Sequence, residues 1–188
     1  MDALMAALFA ALMAQATDRT PWLAAILATR FGRPGAVILG TALALAIGNA
    51  VAAVGGLLIA AHMSPNARDL LLAVSLIFAG ASCLVPIKPP ERLATWKVGA
   101  FATSLFGILI LAAGDRSQFI TLAITARSPS PALAAIGATI GALAVNVPAI
   151  LLGEKARRKL PITATRFVVA ALFLLLGLVL GLGAIRLI

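Results

Sequence analysis

Long apolar runs separated by short polar segments fill almost the whole chain. A bilayer core of about 30 Å requires roughly 20 apolar residues of helix. Four runs meet this length, namely Gly35–Ala61, Ala67–Val85, Ala132–Gly153 and Phe167–Ile188. The pattern therefore predicts at least four transmembrane helices.

Two further apolar runs carry polar residues near their middle. The first, from Ala3 to Ala28, is interrupted by the residues TDRTP at 17–21. The second, from Val98 to Ala126, is interrupted by the residues GDRSQ at 114–118. Because each half is too short to span alone, we interpret each run as one long helix carrying charge near the bilayer middle. The prediction is an all-α integral membrane protein with six transmembrane helices and no room for a soluble domain.

The composition of the 188 residues supports this class, since 62% are hydrophobic and only 11% are charged. Soluble domains have about 25% charged residues, so a soluble enzyme or a nucleic-acid binder is excluded. No cluster of catalytic spacing is found, which predicts a protein that is not an enzyme and has no cofactor. The single cysteine, Cys83, is interpreted as a small buried hydrophobic residue.

The distribution of lysine and arginine predicts the orientation, because cytoplasmic loops carry an excess of both. One side of the six predicted helices has ten of the fifteen: Arg30, Arg33, Lys88, Arg92, Lys97, Lys155, Arg157, Arg158, Lys159 and Arg166. The other side has Arg68, Arg127 and Arg186. We expect a bacterial inner-membrane protein with both termini on the non-cytoplasmic side, and contact with lipid head groups is a secondary consequence of this charge.

The two halves of the chain align without a gap when the sequence is shifted by 97 residues. Asp18-Arg19 then coincides with Asp115-Arg116, and Asn49 coincides with Asn146. This predicts a first repeat at 1–91 with a cytoplasmic linker to 97, and a second repeat at 98–188. Because each half has three spans, the halves must have opposite topology, as two inverted three-helix repeats (3+3). Inverted repeats with broken helices near the midplane are typical of secondary transporters.

Asp18 and Asp115 are the only acidic residues deep within predicted spans. An ionised side chain there costs at least a few kcal/mol and usually has a function. Two-fold symmetry would bring both carboxylates together with further oxygen ligands from Thr20, Ser117, Asn49 and Asn146, to which Gln15 could add its own. Such a set suits hard cations such as Ca²⁺, Mg²⁺ or Mn²⁺. Competition between metal and protons for the two aspartates would be the simplest antiport mechanism.

Each of these residues also has a structural interpretation. Asp18 and Asp115 could pair with Arg19 and Arg116 across the repeat, either to lock the halves together or to hold an empty site. Asn49, Asn146 and Gln15 could simply join neighbouring helices. The small-residue face of Gly137 and Gly141 could contact the other repeat or a second subunit of a homodimer.

The two motifs carry a family resemblance. Residues 112–117 read AAGDRS and residues 15–20 read QATDRT. They resemble the Glu-x-Gly-Asp-(Lys/Arg)-(Thr/Ser) signature that occurs once in each half of the GDT-type, transmembrane protein 165-like, cation/proton exchangers. The resemblance covers the whole chain in length, number of spans and motif position. It implies export of Mn²⁺ or Ca²⁺ in exchange for protons, with the acidic residues of both motifs forming the cation site.

The chain departs from that signature at three positions. Gln15 and Ala112 replace the two glutamates, and Thr17 replaces the first glycine. The resemblance therefore implies Asp18, Asp115, Thr20 and Ser117 as ligands, with Asp18 and Asp115 as the metal-binding pair. Because two carboxylates remain beside two arginines, transport of a different solute, or a non-transporting membrane protein, stays open as an alternative.

Overall fold

The computed structural model describes residues 1–157 and 162–185, and in these residues it contains helices and no strands. The helices are α1 (Asp2–Ala16), α2 (Thr20–Phe31), α3 (Pro34–Ala60), α4 (Pro65–Leu84), α5 (Ala100–Ala112), α6 (Arg116–Arg127), α7 (Pro131–Arg157) and α8 (Ile162–Ala184). Proline at the first position of α3, α4 and α7 fits a site whose backbone N–H has no helical partner. The side chains of Lys155 and Arg157, together with Arg158, Lys159 and Arg186 from the charge count, lie outside the described residues.

Four helices, α3, α4, α7 and α8, are long and apolar enough to cross a membrane. They correspond to the four uninterrupted runs of the sequence, and the end of the last run, 186–188, lies outside the described part. Many large apolar side chains of these helices are exposed, including Leu39, Val51, Leu57, Phe78, Leu151 and Leu175. A multi-pass membrane protein exposes such side chains to lipid, and the helices agree with that class.

The interrupted runs are not the long helices that the sequence predicted. The second run forms two helices, α5 and α6, bent by 69° at residues 113–115, and counting this pair as one broken span gives five candidates. The first run forms α1, a 15-residue apolar helix, and α2, with a break at 17–19. Local features explain the second break: Asp115 caps α6 by accepting from the backbone N–H of Arg116, and Gly114 has a left-handed φ of 73°.

Helices and contacts recur at the spacing of 97 residues. The helices α3 and α7 begin at Pro34 and Pro131, and α7 differs from α3 by a non-helical backbone at Gly153 (φ 71°). A side chain at Gly137 would clash with the carbonyl of Leu4 in α1, and one at Gly40 would clash with the carbonyl of Phe101 in α5. The second contact is the first with every residue number raised or lowered by 97.

The small-residue faces are filled by helices of the same chain. Gly137 and Gly141 lie against the carbonyls of Leu4 and Leu8, so this face contacts α1. Gly80 and Gly177 pack reciprocally where α4 crosses α8. The sequence left open whether Gly137 and Gly141 contact the other repeat or a second subunit. In the structure they pack against α1 of the same chain.

Candidate functional site

The two breaks lie against one another and present their aspartates to one cavity. Thr20 Oγ1 donates to Asp18 Oδ2 at 2.7 Å, and Ser117 Oγ donates to Asp115 Oδ2 at 3.1 Å. Each motif thus uses its hydroxyl to orient its own carboxylate. The carboxyls of Asp18 and Asp115 are also close enough to interact with one another. The structure therefore brings together the four side chains that the motifs contribute.

The cavity at the breaks has a volume of about 420 Å³. Its walls come from both breaks, from the end of α4 and from the segment that follows α4. The lining residues are Thr17, Asp18, Arg19, Phe78, Ser82, Val85, Pro86, Ile87, Leu111, Ala113, Gly114, Asp115 and Arg116. The two aspartates are thus accessible from a space that adjoins the α4–α5 connection.

Arg116 is buried, and its side chain contacts residues of the first half of the chain. Its Nη2 donates to the carbonyls of Ala14 and Thr17 and to Thr17 Oγ1 at 3.1 Å. Its Nη1 donates to Ser82 Oγ and to Cys83 Sγ, both at 3.3 Å. The last carbonyls of a helix have no helical partner and carry partial negative charge, so the guanidinium stabilises the end of α1.

Arg116 also forms the ion pair that joins the two motifs. Its Nη2 lies 3.9 Å from Asp18 Oδ1, which is longer than a hydrogen bond. The pair runs between the repeats rather than within one Asp-Arg dipeptide. Arg19 differs: its side chain is exposed, lines the cavity and has no hydrogen bond or ion pair within the described residues. The sequence predicted supporting or gating ion pairs for both Arg19 and Arg116, and the structure places the two side chains in different surroundings.

A chain of hydrogen bonds leads from α7 to the cavity. Asn146 Nδ2 donates to Gln15 Oε1 at 3.0 Å, and Gln15 Nε2 donates to Ser117 Oγ at 3.3 Å. Ser117 in turn donates to Asp115. Gln15 and Asn146 are fully buried. These two candidate ligands therefore act on Asp115 indirectly, through their hydrogen bonds to one another and to Ser117.

Asn49 does not join this group. Its Nδ2 donates to Thr139 Oγ1 at 3.1 Å, and none of its hydrogen bonds in the described part goes to either motif. The equivalent of Gln15 in the second half is Ala112, which has no amide to offer. The contacts of Asn49 therefore agree with the alternative interpretation, in which its side chain joins two neighbouring helices.

Three residues at the site were missed by sequence reasoning: Thr17, Ser82 and Cys83. Cys83 is buried, as predicted, but its Sγ contacts Arg116 and lies 3.4 Å from Thr17 Oγ1. The available signal was the group of small polar residues at the end of an otherwise apolar α4, together with a threonine where the signature has glycine.

The carboxylate and hydroxyl oxygens at the two breaks are of the kind that hard cations prefer, but the site has little net negative charge. The described residues contain no group of three or more histidine, cysteine or acidic side chains. Two carboxylates remain, each bonded to a hydroxyl group of its own motif, and oxygen atoms of these kinds are ligands preferred by Ca²⁺, Mg²⁺ and Mn²⁺. Two guanidinium groups, those of Arg19 and Arg116, line the same cavity.

Comparison with known proteins identifies the family. The family model described as "Divalent cation/proton antiporter GDT1" matches residues 3–91 and 100–186. The chain belongs to this family. It is therefore a member of a family of divalent-cation transporters, which are not enzymes, as the sequence predicted.

A curated relative agrees with this assignment. The chain is 30% identical over 167 residues, or 88% of its length, to a protein of Vibrio cholerae serotype O1 named "Putative manganese exporter", of which the match covers 84%. No solved structure matches the chain significantly.

Proposed function

We propose that this protein exports a divalent cation, Mn²⁺ or Ca²⁺, in exchange for protons through the cavity between the two breaks. The observation that carries the proposal is the meeting of Asp18 and Asp115, one from each half, in one cavity. Membership of the antiporter family supports the same conclusion, and the name of the Vibrio relative favours Mn²⁺.

The exchange follows from the chemistry of carboxylates. A divalent cation requires both aspartates to be ionised, whereas protonation removes their charge and releases the metal. Thr20 and Ser117 keep the two carboxylates oriented through their hydroxyl donors. The same pair of groups thus binds either the metal or protons, which couples the two fluxes.

The membrane arrangement that we propose is six spans in two inverted repeats, with repeat boundaries at 1–91 and 98–188. The recurrence of helices and glycine contacts at 97 residues supports a duplicated architecture. The charge distribution supports location in the bacterial inner membrane with both termini outside the cytoplasm.

Flux measurements in proteoliposomes test the function. We expect Mn²⁺ uptake driven by an imposed pH gradient in the wild type, and loss of this uptake in the double variant Asp18→Asn, Asp115→Asn. Asp2→Asn is the matched control, because Asp2 is exposed and lies outside the cavity between the breaks. Absence of Mn²⁺ and Ca²⁺ flux in folded wild-type protein would contradict the proposal.

The arginines of the cavity favour one alternative, transport of a solute other than a bare divalent cation. The buried Arg116 offsets the charge of Asp18 at 3.9 Å, and the exposed Arg19 adds a smaller, solvent-screened positive charge, which together weaken attraction for a divalent cation. Proton flux that needs Asp18 and Asp115 but is independent of added Mn²⁺ and Ca²⁺ would favour this alternative.

A further inference from the structure

The guanidinium of Arg116 is a fixed positive charge next to Asp18. Its hydrogen-bond partners are all neutral: carbonyls, hydroxyls and a thiol of the first half. The acid that it approaches in that half is Asp18, at 3.9 Å. Arginine stays protonated in proteins, so this positive charge cannot be removed by deprotonation.

The Arg116 side chain does not satisfy all of its possible hydrogen bonds. The distance to Asp18 exceeds hydrogen-bond length, and the buried Nε has no hydrogen-bond partner among the described residues. A guanidinium that is bound through neutral acceptors and one longer ion pair can be released when a stronger positive charge arrives at the same carboxylate.

We propose that Arg116 is a tethered cation that neutralises Asp18 in the metal-free site and that the entering divalent cation displaces. This inference rests on the proposed function and adds the residue that holds the empty site. A cation bound between Asp18 and Asp115 repels the guanidinium, and its charge replaces that of Arg116 next to the half-buried Asp18. Arg116 is thus a positioning residue and a competitor for the cation.

Arg19 provides the internal comparison. It carries the same charge, occupies the equivalent motif position and lines the same cavity, but it is exposed and has no partner within the described part of the chain. Exposed charges are screened by water and salt, so removing Arg19 should affect cation binding much less than removing Arg116.

Cys83 is a native reporter of this displacement. It is the only cysteine of the chain, its side chain is 1% exposed, and its Sγ lies 3.3 Å from Arg116 Nη1. Ser82, which also accepts from Arg116, lines the cavity. When Arg116 leaves, the thiol becomes accessible from the cavity.

The binding experiment compares Mn²⁺ affinity of the purified full chain with that of three variants. We expect Arg116→Gln to bind Mn²⁺ roughly tenfold more tightly, because the internal competitor is lost. Arg19→Gln should differ from the wild type by about twofold or less. Arg116→Lys, which keeps a positive charge while it stays protonated, should bind Mn²⁺ more weakly than Arg116→Gln. A residue with only a structural role would give the opposite sign, since its loss would weaken binding.

The labelling experiment uses the wild-type chain and therefore does not depend on the folding of a variant. We expect saturating Mn²⁺ to accelerate modification of Cys83 by N-ethylmaleimide, with Cys83→Ser as the background control. Labelling that is unchanged by saturating Mn²⁺ would contradict displacement of Arg116.

The outcomes separate this inference from the proposed function. Mn²⁺ binding by the wild type, together with equal or weaker binding by folded Arg116→Gln, would overturn the inference and leave the function intact. Absence of binding in both proteins would overturn the function, and the inference with it. Binding by Arg116→Gln alone would support the inference, since the guanidinium would then fill the wild-type site.

Discussion

Asn146 of α7 donates a hydrogen bond of 3.0 Å to the side-chain carbonyl of Gln15 in α1, where both side chains are fully buried. Gln15 in turn donates a hydrogen bond to Ser117, whose hydroxyl orients Asp115. A residue of α7 thereby supports an aspartate at the break between α5 and α6. The geometry of the candidate cation site depends on this buried chain.

The first prediction contrasts the two asparagines that coincide in the repeat. Asn146→Ala leaves the buried oxygen of Gln15 without its donor, and we expect a loss of about 1–3 kcal/mol in the free energy of unfolding, with reduced Mn²⁺ flux. Asn49→Ala should cost about 1 kcal/mol and leave flux unchanged, because Thr139 still donates to the Ala135 carbonyl. Unfolding in detergent and flux in proteoliposomes measure both effects; equal effects would contradict the separation of their roles.

The second prediction concerns the glutamine that replaces a motif glutamate. Gln15→Glu adds a carboxylate that can still accept from Asn146, next to Ser117 and Asp115. We expect Mn²⁺ affinity to rise by about tenfold at neutral pH. We also expect affinity to fall more steeply as pH decreases, since an additional carboxylate competes for protons.

Mn²⁺ titrations at several pH values measure this change. Gln15→Met is the control, because it keeps a similar volume, adds no charge and removes the hydrogen bonds of Gln15. An unchanged pH dependence in Gln15→Glu would show that position 15 does not contribute to the cation site.

The four long spans could be predicted from sequence because burial in lipid requires apolar residues along their whole length. The predicted run Gly35–Ala61 and the observed α3, Pro34–Ala60, differ by one residue at each end. The polar interruptions were also located correctly, but the helices break there. At the second interruption, Gly114 and Asp115 favour a left-handed residue followed by a helix cap.

Only those features of the site that follow from the symmetry of the repeat could be predicted from the sequence. The meeting of the motifs followed from duplication, and the cavity contains both aspartates. The different surroundings of Arg19 and Arg116 could not be predicted, since identical residue types at equivalent positions carry no information about which one is buried. The contacts of Thr17, Ser82 and Cys83 with Arg116 depend on how α4 packs against the breaks, which is a tertiary relationship.

The third prediction tests the close approach of α1 and α7. A methyl group at Gly137 would clash with the backbone carbonyl of Leu4, which cannot move away as a flexible side chain could. We expect Gly137→Ala to lower the free energy of unfolding by about 1–3 kcal/mol. Gly35→Ala is the matched control: nothing lies within 4 Å of its added methyl group, so stability should be unchanged or slightly raised. Equal stabilities of the two variants would contradict the packing.

The fourth prediction separates Arg30 from Arg127, which coincide in the repeat. Arg30 donates to the carbonyls of Leu93, Ala94 and Trp96 in the segment between α4 and α5. Arg127 instead forms a partly exposed ion pair with Asp69, and such pairs contribute about 0–1 kcal/mol. We expect Arg30→Gln to accelerate tryptic cleavage between α4 and α5 in detergent, and Arg127→Gln to leave its rate unchanged. Equal cleavage rates would mean that Arg30 does not restrain this segment.

The last prediction tests the proposed inverted arrangement of the halves. Arg33 and Ser130 are 97 residues apart and precede α3 and α7, so opposite topology of the repeats puts them on opposite sides of the membrane. We expect Ser130→Cys, in a Cys83→Ser background, to react with a membrane-impermeant maleimide applied to intact spheroplasts. Arg33→Cys should react only after permeabilisation, because the positive charge of its loop favours the cytoplasm. Reaction of both from one side would contradict inversion, and the two aspartates would then need another explanation for meeting in one cavity.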